Sequence, residues 1–462
     1  MPLPEPGTLR EVLAANAAGT GRMLWGAHGG VALAALARGT TLDERASALA
    51  GGSVVLATRD QLAAAQALVA LDGSVSRLVI CPPDLPLAHL AAIAATAEAQ
   101  AIVTDRDAAE FEGADLPPLI ACNLPLHPYN SIPKPIATEW VLLTSGTTGV
   151  PKMVVHSLAA LTGAIKPTQP GVPPPVWATF YDIRRYGGLQ ILLRALLGNG
   201  SMVLSDASEP VPEHLRRLAA HGVTHISGTP SHWRRALMSS ESCLITPRYV
   251  RLSGEIADQA ILDALKRQYP EAVVGHAYAS TEAGVGFEVN DGLEGFPAEI
   301  LSSDRDPCFK VVDGTLLIRS RRTASRYLGG SQTLMEKDGF IDSGDFVTER
   351  GGRYYFVGRR GGIINVGGLK VHPEEVEQIL NKHARVKMSL VSARRNPITG
   401  AIVVADVVLH DSVAPGDASD ALKQDILAFC RTALPAHKVP AAIKFVSSLA
   451  VTPAGKLVRQ NA

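Results

Sequence analysis

The spacing of apolar and polar positions predicts alternating strands and helices through the first part of the chain. Short β-branched runs at 53–56 and 77–80 alternate with alanine-rich helical stretches at 61–70 and 87–97. After the proline-rich loop 166–176 the same rhythm returns, with predicted helices at 190–197 and 213–221 and predicted strands at 202–204 and 224–226. Such alternation is typical of parallel sheets whose faces are covered by helices.

The pattern changes in the last third of the chain. Short runs with glycine turns at 315–320 and 353–357 predict a small antiparallel barrel. Beyond Gly361-Gly362 we predict helices at 374–382 and 421–433 and strands at 388–393 and 402–409. The predicted fold class is therefore α/β: a large domain of covered, mostly parallel sheets plus the barrel (1–358), then a small α+β domain (359–462).

Composition excludes several classes of function. The 462 residues include 44 basic and 44 acidic side chains, so no overall charge favours nucleic acid or an anionic membrane. The 5 cysteines are scattered and never spaced as CxxC, which indicates neither a disulfide framework nor a zinc site. Neither a signal peptide nor a membrane span is expected, and a reducing cytoplasm fits.

One loop has the chemistry of a phosphate-binding site. The predicted strand 140–143 is followed by Thr144, Ser145, Gly146, Thr147, Thr148, Gly149, Val150, Pro151 and Lys152. Glycines let backbone N–H groups turn toward an anion, hydroxyls add donors, and the lysine adds a positive charge. The order differs from the Walker pattern. The alternative is a surface turn rich in Ser, Thr and Gly.

This loop resembles the first signature of the AMP-forming adenylating superfamily, which includes acyl-CoA synthetases, peptide-synthetase adenylation domains and luciferases. Further segments resemble the other signatures of that superfamily in the required order: Tyr278-Ala279-Ser280-Thr281-Glu282, Ile341-Asp342-Ser343-Gly344-Asp345, Gly358-Arg359 and Pro453-Ala454-Gly455-Lys456. Ser253-Gly254-Glu255 lies where the superfamily has a loop that packs on adenine. The resemblance therefore extends from Thr144 to Lys456.

The resemblance implies a role for each of these residues. Tyr278 lies against adenine, Thr281 reaches the α-phosphate, Glu282 helps to hold Mg²⁺, Asp345 accepts from the ribose hydroxyls, and Lys456 enters the active site during adenylation. The implied ATP-binding set is Thr144, Ser145, Gly146, Thr147, Thr148, Gly149, Lys152, Gly254, Glu255, Tyr278, Ser280, Thr281, Asp345 and Arg359. The implied catalytic set is Lys456, Thr147, Glu282 and Arg359.

Three departures from the superfamily pattern affect what is carried over. The hinge that commonly has Asp or Lys falls on Gly361-Gly362, which is compatible with a turn or with a looser hinge at Gly361. Ala279 replaces a usual glycine, which either narrows the acyl pocket or is without effect. A usual histidine is absent from 180–189, where Arg184 either binds the substrate or pairs with Asp182. The predicted substrate pocket is Tyr181, Asp182, Arg184, Tyr186, His276, Ala279 and Gly284.

The resemblance implies a two-step activation of a carboxylic acid: ATP gives an acyl-adenylate and pyrophosphate, and a thiol then gives a thioester and AMP. Coenzyme A is the favoured thiol, with Gly367, Gly368 and Leu369 in a strand beside its tunnel and with the small domain moving between the steps. The implied cofactors are ATP, Mg²⁺ and coenzyme A. Two alternatives stay open: a stand-alone enzyme that loads a carrier protein, and a catalytically idle nucleotide-binding homologue. The expected acid is compact and has a polar substituent.

Overall fold

The computed structural model describes residues 7–16, 21–129, 134–144, 150–166, 171–303, 305–330, 334–336, 338–396, 399–410, 420–452 and 455–459. Across these residues the predicted α/β architecture is confirmed. The predicted strands and helices are all present, with ends that differ by a few residues. The largest such difference is the helix predicted at 190–197, which begins four residues earlier, at Tyr186.

Two large sheets form the first three quarters of the described chain. The larger has eight described strands, five of whose seven pairings are parallel. In hydrogen-bonded order the strands are Gly284–Val289, Val273–Ser280, Tyr249–Ser253, His225–Gly228, Val176–Thr179, Ser201–Val203, Met23–Trp25 and Gly30–Ala32. In the second sheet the seven described strands are Arg326–Leu328, Lys152–His156, Glu139–Thr144, Arg77–Ile80, Ser53–Leu56, Ala101–Thr104 and Leu119–Ala121.

The predicted barrel is a five-stranded antiparallel sheet in the described residues. Its strands are Phe296–Pro297, Arg353–Arg359, Ile341–Arg350, Thr315–Arg319 and Cys308–Val312. Its edge strands, the first and last of these, are not paired with each other, so the sheet is open. The smaller sheets are the three-stranded Val386–Asn396, Gly400–Leu409 and Ala442–Phe445 and the two-stranded pairs Ile364–Val366 with Leu369–Val371 and Gly39–Thr40 with His127–Pro128.

Helices cover the sheets, as the hydrophobic pattern predicts. The described α-helices are Leu9–Ala15, Leu33–Leu36, Gln61–Leu71, Leu87–Thr96, Leu158–Thr162, Tyr186–Leu197, Val211–Ala220, Pro230–Ala236, Gln259–Gln268, Pro373–Leu380 and Asp420–Ala433. The helix Gln61–Leu71 shows why they begin where they do: the Asp60 side chain caps it by accepting from the N–H groups of Leu62 and Ala63. In the described part of the chain, no helix combines the length and apolar character needed to cross a bilayer.

The hydrophobic core is divided along the chain. One cluster of buried side chains is built from residues of 364–445 alone, among them Val371, Val376, Val391 and Ile426. The other clusters draw on residues that precede Phe356. The division of the chain into domains 1–358 and 359–462 stays a prediction; its boundary falls at the end of the strand Arg353–Arg359.

Candidate active site

Three of the segments indicated by the resemblance lie where parallel strands end. Glu139–Thr144 ends at the start of the phosphate loop, Tyr249–Ser253 ends before Gly254, and Val273–Ser280 ends before Thr281. In open α/β sheets, ligands bind in the crevice outside the carboxyl ends of the strands. The topology therefore brings segments that are far apart in sequence to one crevice.

A cleft of about 540 Å³ occupies this crevice. Lys152, Ser280, Glu282 and Arg359, which come from two of the predicted motifs and the Gly-Arg pair, line it together. The remaining lining residues are Tyr327, Leu334, Met335, Glu336, Ile341, Asp342 and Ser343. Cationic and anionic side chains thus face one space of a size suited to a small organic ligand.

The phosphate loop is described only at its two ends. Ser145, Gly146, Thr147, Thr148 and Gly149 lie outside the described residues, so their placement stays a prediction. Thr144 and Lys152 are directly opposite each other in the antiparallel pair formed by Glu139–Thr144 and Lys152–His156. The sheet therefore holds both ends of the loop together at the cleft.

Tyr278, Asp345 and Arg359 form one hydrogen-bonded group. The Tyr278 hydroxyl donates to Asp345 Oδ2 at 2.6 Å, and Arg359 Nε lies 2.8 Å from Asp345 Oδ1. Burial raises the pKa of Asp345, although the charge of Arg359 opposes this. Burial also raises the pKa of Tyr278, with the negative charge of Asp345 acting in the same direction. The carboxylate is thus held rigidly between two donors.

The Tyr278 ring belongs to an aromatic cluster. It stacks on Phe356, with ring centroids 5.0 Å apart and planes 9° apart, and on Phe287 at 5.6 Å and 21°. Packing of this kind fixes the orientation of the ring. The two phenylalanines were not predicted as part of the site.

Glu282 lines the cleft beside Tyr327, which was not predicted from the sequence. Tyr327 lies beside Glu282. Burial is the main cause that raises the pKa of Tyr327 to about 12, and the negative charge of Glu282 contributes to the rise. Lys152 Nζ is 5.2 Å from the centroid of the Tyr327 ring. The strand Arg326–Leu328 pairs with Lys152–His156, and that pairing brings Tyr327 to the site from a region without a signature.

A metal ion fits this part of the cleft only with help from the nucleotide. Among the described residues no group of three His, Cys, Asp or Glu side chains can hold a metal. Glu282 offers one carboxylate beside the cleft. Magnesium is commonly held by one or two carboxylates together with substrate phosphates, so a single carboxylate is compatible with it.

Lys456 reaches the same site from the end of the chain. A Cβ atom placed on Gly254 would lie 3.5 Å from Lys456 Cε, so the lysine stem runs along this glycine. Desolvation lowers the pKa of Lys456, as does the neighbouring Arg359, while Glu255 and Asp345 oppose the change. The lysine therefore lies within electrostatic reach of Asp345 and Arg359, two members of the hydrogen-bonded group described above.

The segment that carries Lys456 is tied to the rest of the molecule by hydrogen bonds. Thr229 donates to the Gly455 carbonyl oxygen at 2.7 Å, and the Leu457 N–H donates to Glu255 Oε1 at 3.0 Å. Glu255 Oε2 also accepts from the Ser231 N–H at 2.9 Å. Glu255 was predicted near adenine; in this structure it joins the Lys456 segment to the helix Pro230–Ala236. Thr229 and Ser231 were not predicted, because they belong to no signature.

Arg184, a predicted substrate-pocket residue, is fully engaged elsewhere. Its guanidinium pairs with Asp182 at 2.5 Å and also donates to the carbonyl oxygens of Thr58 and Arg59. Both partners of the pair are buried. The alternative given above, pairing of Arg184 with Asp182, is the arrangement that the structure has.

The other predicted pocket residues separate into two places. Tyr181, Tyr186 and Ala279 adjoin the interior between the helix Tyr186–Leu197 and the larger sheet, and the Tyr181 hydroxyl donates to the Ser253 carbonyl oxygen at 2.6 Å. Gly284 lies opposite Ser280 at the edge of this region. His276 does not join them: it alternates with Ala277 along its strand, and its Nε2 is 3.0 Å from the Leu293 carbonyl oxygen.

The predicted thiol tunnel differs in local structure from the expectation. Gly367 and Gly368 form the turn of a hairpin, with φ of +59° and +87°, and only Leu369 is in a strand. Positive φ at both turn positions is what glycine provides most readily. Leu369 is 52% exposed, and none of the three lines the cleft. The predicted hinge residue Gly361 lies in the turn Arg360–Gly362.

Comparisons with known proteins show which family this chain resembles. Residues 45–328 match the family described as AMP-binding enzyme, and residues 375–456 match the AMP-binding enzyme C-terminal domain. A 2-succinylbenzoate–CoA ligase of Bacillus velezensis is 27% identical over 70% of this chain and 68% of its own. The 4-coumarate–CoA ligase 3 of Arabidopsis thaliana is 23% identical over 69% of this chain and 61% of its own.

Solved structures share the fold over nearly the whole chain. The anthranilate CoA ligase in complex with anthranoyl-AMP has a TM-score of 0.79 and 18% identity, covering 98% of this chain and 96% of the other. A benzoate CoA ligase from Burkholderia xenovorans has a TM-score of 0.78 and 20% identity, covering 98% and 99%.

Proposed function

The chain belongs to the AMP-binding enzyme family, and on that premise we propose that it is an AMP-forming ligase that converts a carboxylic acid into its coenzyme A thioester. In the first step a carboxylate oxygen attacks the α-phosphorus of ATP, and the bond to the pyrophosphate oxygen breaks. In the second step the thiol sulfur of coenzyme A, having lost its proton, attacks the acyl carbon, and AMP leaves. The relatives named above for CoA ligation support both steps.

The observation that carries the proposal is the convergence of Lys456 with the group Tyr278, Asp345 and Arg359. The first step brings two anions together, so it needs a fixed positive charge where negative charge develops. Lys456 supplies an ammonium group beside Gly254, and Arg359 adds a second cation. A nucleotide-binding protein without catalysis has no need for this pair of cations at one point.

The chain's own residues divide the work of the first step. Asp345 accepts from the ribose hydroxyls, Tyr278 lies against adenine, and Thr144 with Lys152 holds the ends of the phosphate loop. Glu282, together with the phosphates of ATP, would hold a magnesium ion, and such an ion would supply positive charge beside the leaving pyrophosphate. Lys456 stabilises the charge that develops as the carboxylate and the α-phosphate meet.

The second step uses a different arrangement of the same chain. The hairpin with Gly367, Gly368 and Leu369 is exposed here, and we propose that rotation about Gly361 brings it to the cleft as Lys456 withdraws. Coenzyme A then reaches the acyl carbon beside this hairpin. We propose a reducing compartment such as the cytoplasm, because the 5 cysteines are scattered and never spaced as CxxC.

The experiment measures the two steps separately. Exchange of pyrophosphate into ATP, with coenzyme A absent, is assayed over aryl and short-chain carboxylic acids, because the relatives named above act on 2-succinylbenzoate and 4-coumarate. We expect Lys456→Ala to lower exchange by about two to four orders of magnitude. Thioester formation from supplied acyl-adenylate and coenzyme A should stay close to that of the unchanged protein.

The control for folding is Lys444→Ala, because Lys444 lies in a strand of the same C-terminal region. It should leave both steps unchanged. If none of the acids supports pyrophosphate exchange, the protein is an idle nucleotide-binding homologue. Acyl transfer to a carrier protein but not to coenzyme A would identify the other alternative. An equal loss of both steps in Lys456→Ala would contradict the proposed role of this lysine.

A further inference from the structure

Polar side chains occupy the interior between the helix Tyr186–Leu197 and the larger sheet. The helix contributes side chains four residues apart, at i, i+4 and i+8, which lie on one side of it. They are Tyr186, Gln190 and Arg194. Most of their neighbours on this helix are buried leucines and other apolar residues, so a polar stripe here is unexpected for a plain core.

The sheet presents a second set of polar groups to this space. Strand register places Ser227 opposite Arg251, and it places Ala277 between Ser253 and Glu288. Residues directly across a sheet and those two apart share a face. Ala277 and Ala279 contribute only small side chains to this face.

Two of the guanidinium nitrogens in this space have no partner within the described part of the chain. Arg251 Nη2 and Arg194 Nε are shielded from solvent and make no hydrogen bond there. The buried hydroxyls beside them interact with protein groups, that of Tyr186 with the Val285 backbone and that of Ser227 with Tyr181. Three of the polar residues are almost wholly buried, Ser227 at 0%, Arg251 at 3% and Tyr186 at 7% exposed. Buried polar groups are nearly always satisfied in native proteins, so two unsatisfied ones in one space indicate a missing partner.

The charges identify what that partner carries. Among the described residues, Glu288 is the one carboxylate that hydrogen-bonds within this group. It accepts from Arg251 at 3.1 Å and from the Tyr249 hydroxyl. Arg194 makes no hydrogen bond to a carboxylate in the described residues, and its pKa is lowered by burial and then by the nearby positive charge of Arg251. A surplus of positive charge away from water is costly unless an anion joins it.

This interior leads to the reaction centre. Gly254 lies between this interior and Lys456. A Cβ atom placed on Gly254 would lie 3.9 Å from the Tyr181 hydroxyl on one side and 3.5 Å from Lys456 Cε on the other. Arg251 precedes Gly254 by three residues at the end of the same strand, a distance of roughly 10 Å along the backbone. An acid whose reacting carboxylate is at Lys456 therefore presents its far end to Arg251 and Arg194.

We propose that the acid activated by this enzyme carries a second anionic group, and that Arg251 and Arg194 bind this group together with the Tyr186 and Ser227 hydroxyls. The substrate class is a compact dicarboxylic acid, of which one carboxylate is activated and the other is held. The inference rests on the proposed acid activation. The sequence indicated Arg184 as the arginine that binds the substrate. The inference assigns that role to Arg251 and Arg194, which the sequence did not indicate.

The test compares each diacid with its own monoamide, which has the same size, one carboxylate and a neutral far end. Suitable pairs are isophthalate, terephthalate, glutarate and adipate with their monoamides, assayed by acid-dependent pyrophosphate exchange. With the unchanged protein we expect kcat/KM for the preferred diacid to exceed that for its monoamide by about 30-fold or more, the scale of one buried charge left unpaired. Equal values within every pair would overturn the inference while leaving acid activation intact.

Variants at Arg194 locate the selectivity, because within the described residues this side chain makes no hydrogen bond whose loss would unbalance the core. Arg194→Gln should lower kcat/KM for the diacid by at least about tenfold and leave the monoamide within about twofold. Arg194→Lys, which keeps the charge, should recover part of the loss. An unchanged ratio of diacid to monoamide in a folded Arg194→Gln protein would overturn the assignment.

Calorimetric titration of the diacid without ATP separates this inference from the proposed function. Binding to the unchanged protein that is lost in Arg194→Gln supports the anion site, even if no acid is activated. Absence of diacid binding, together with normal activation of monocarboxylic acids, would contradict the inference alone. Failure of every acid in both assays would contradict the proposed function and the inference with it.

Discussion

Gly455 shows how a single residue can determine whether the adjacent lysine reaches the cleft. Its φ is +73°, a conformation that L side chains rarely adopt. A Cβ at this position would also overlap the His232 ring. Glycine is therefore required here for its backbone conformation and for the close approach of the Lys456 segment to the helix Pro230–Ala236.

We expect Gly455→Ala to reduce acid-dependent pyrophosphate exchange by about 10- to 100-fold, because the strained turn and the clash with His232 together move Lys456 by a distance that active sites tolerate poorly. The melting temperature should change little, since the turn lies near the end of the chain. The matched control is Gly352→Ala, which has φ of +80° and open space around the added methyl group. Equal exchange in both variants would show that the contact with His232 has no role.

At the scale of elements, the turn Arg360–Gly362 connects the strand that ends in Arg359 with the C-terminal region. Arg360 pairs with Asp342 at 2.8 Å, and a Cβ on Gly361 would meet no atom within 4 Å. The turn therefore has few contacts that resist rotation. In the proposal, Arg359 before this turn contacts the nucleotide, and the hairpin with Gly367 and Gly368 after it contacts the thiol. Rotation at this turn therefore moves these two contact regions relative to each other.

Gly361→Pro should preserve adenylate formation and slow thioester formation by about tenfold or more. Proline fixes φ near −65°, a value compatible with the helical turn observed and incompatible with large rotation about this residue. The two half-reactions are measured separately, with Gly361→Ala as the control because its methyl group has open space. Normal overall turnover in a folded Gly361→Pro protein would place the rotation elsewhere.

At the scale of the whole molecule, polar contacts join the C-terminal region to the rest. Asn381 donates to Asp258 at 3.2 Å, Lys382 pairs with Glu294 at 3.1 Å, and Arg234 donates to the Lys387 carbonyl oxygen at 3.2 Å. Contacts of this polar kind are typical of interfaces that open and close. They are consistent with an interface that holds Lys456 in the cleft without locking it there.

Buried histidines should make the stability of the folded protein fall with acidification. Burial lowers the pKa of His156 to about 4 and that of His232 to about 3, whereas in the unfolded chain both titrate near 6.5. Between pH 6.5 and about 4 the unfolded chain binds more protons, so each histidine costs the folded state about 1.4 kcal/mol per pH unit in this window. We expect the melting temperature to fall by several degrees from pH 7 to pH 5.

The measurement is the melting temperature at pH 7, 6 and 5 at constant ionic strength. His156→Gln should show a shallower decline, because one buried group that must stay neutral has been removed. A melting temperature that is constant or rises on going from pH 7 to pH 5 would contradict this account.

Local order along the chain was enough to predict much of the architecture. Alternating β-branched and alanine-rich runs predict the covered parallel sheets, because hydrophobic period and residue shape act within one element. The same holds for motifs whose residues are adjacent in sequence, such as Gly254-Glu255, Thr281-Glu282 and Gly455-Lys456. Their placement at the carboxyl ends of strands, or in the closing turn, follows from short-range spacing and chain order.

Only the tertiary structure decided which side chains meet across distant segments. Arg184 looked suited to the substrate because it lies beside Tyr186 in sequence, yet a buried Asp182 two residues away engages it. Arg194 and Arg251 carry no motif, and helix packing against the sheet brings them to one interior. Tyr327 reaches Glu282 only through strand pairing. The sequence determined the elements and motifs, whereas partner choice depended on burial, since a charge removed from water must find its counter-charge among whatever groups the fold places nearby.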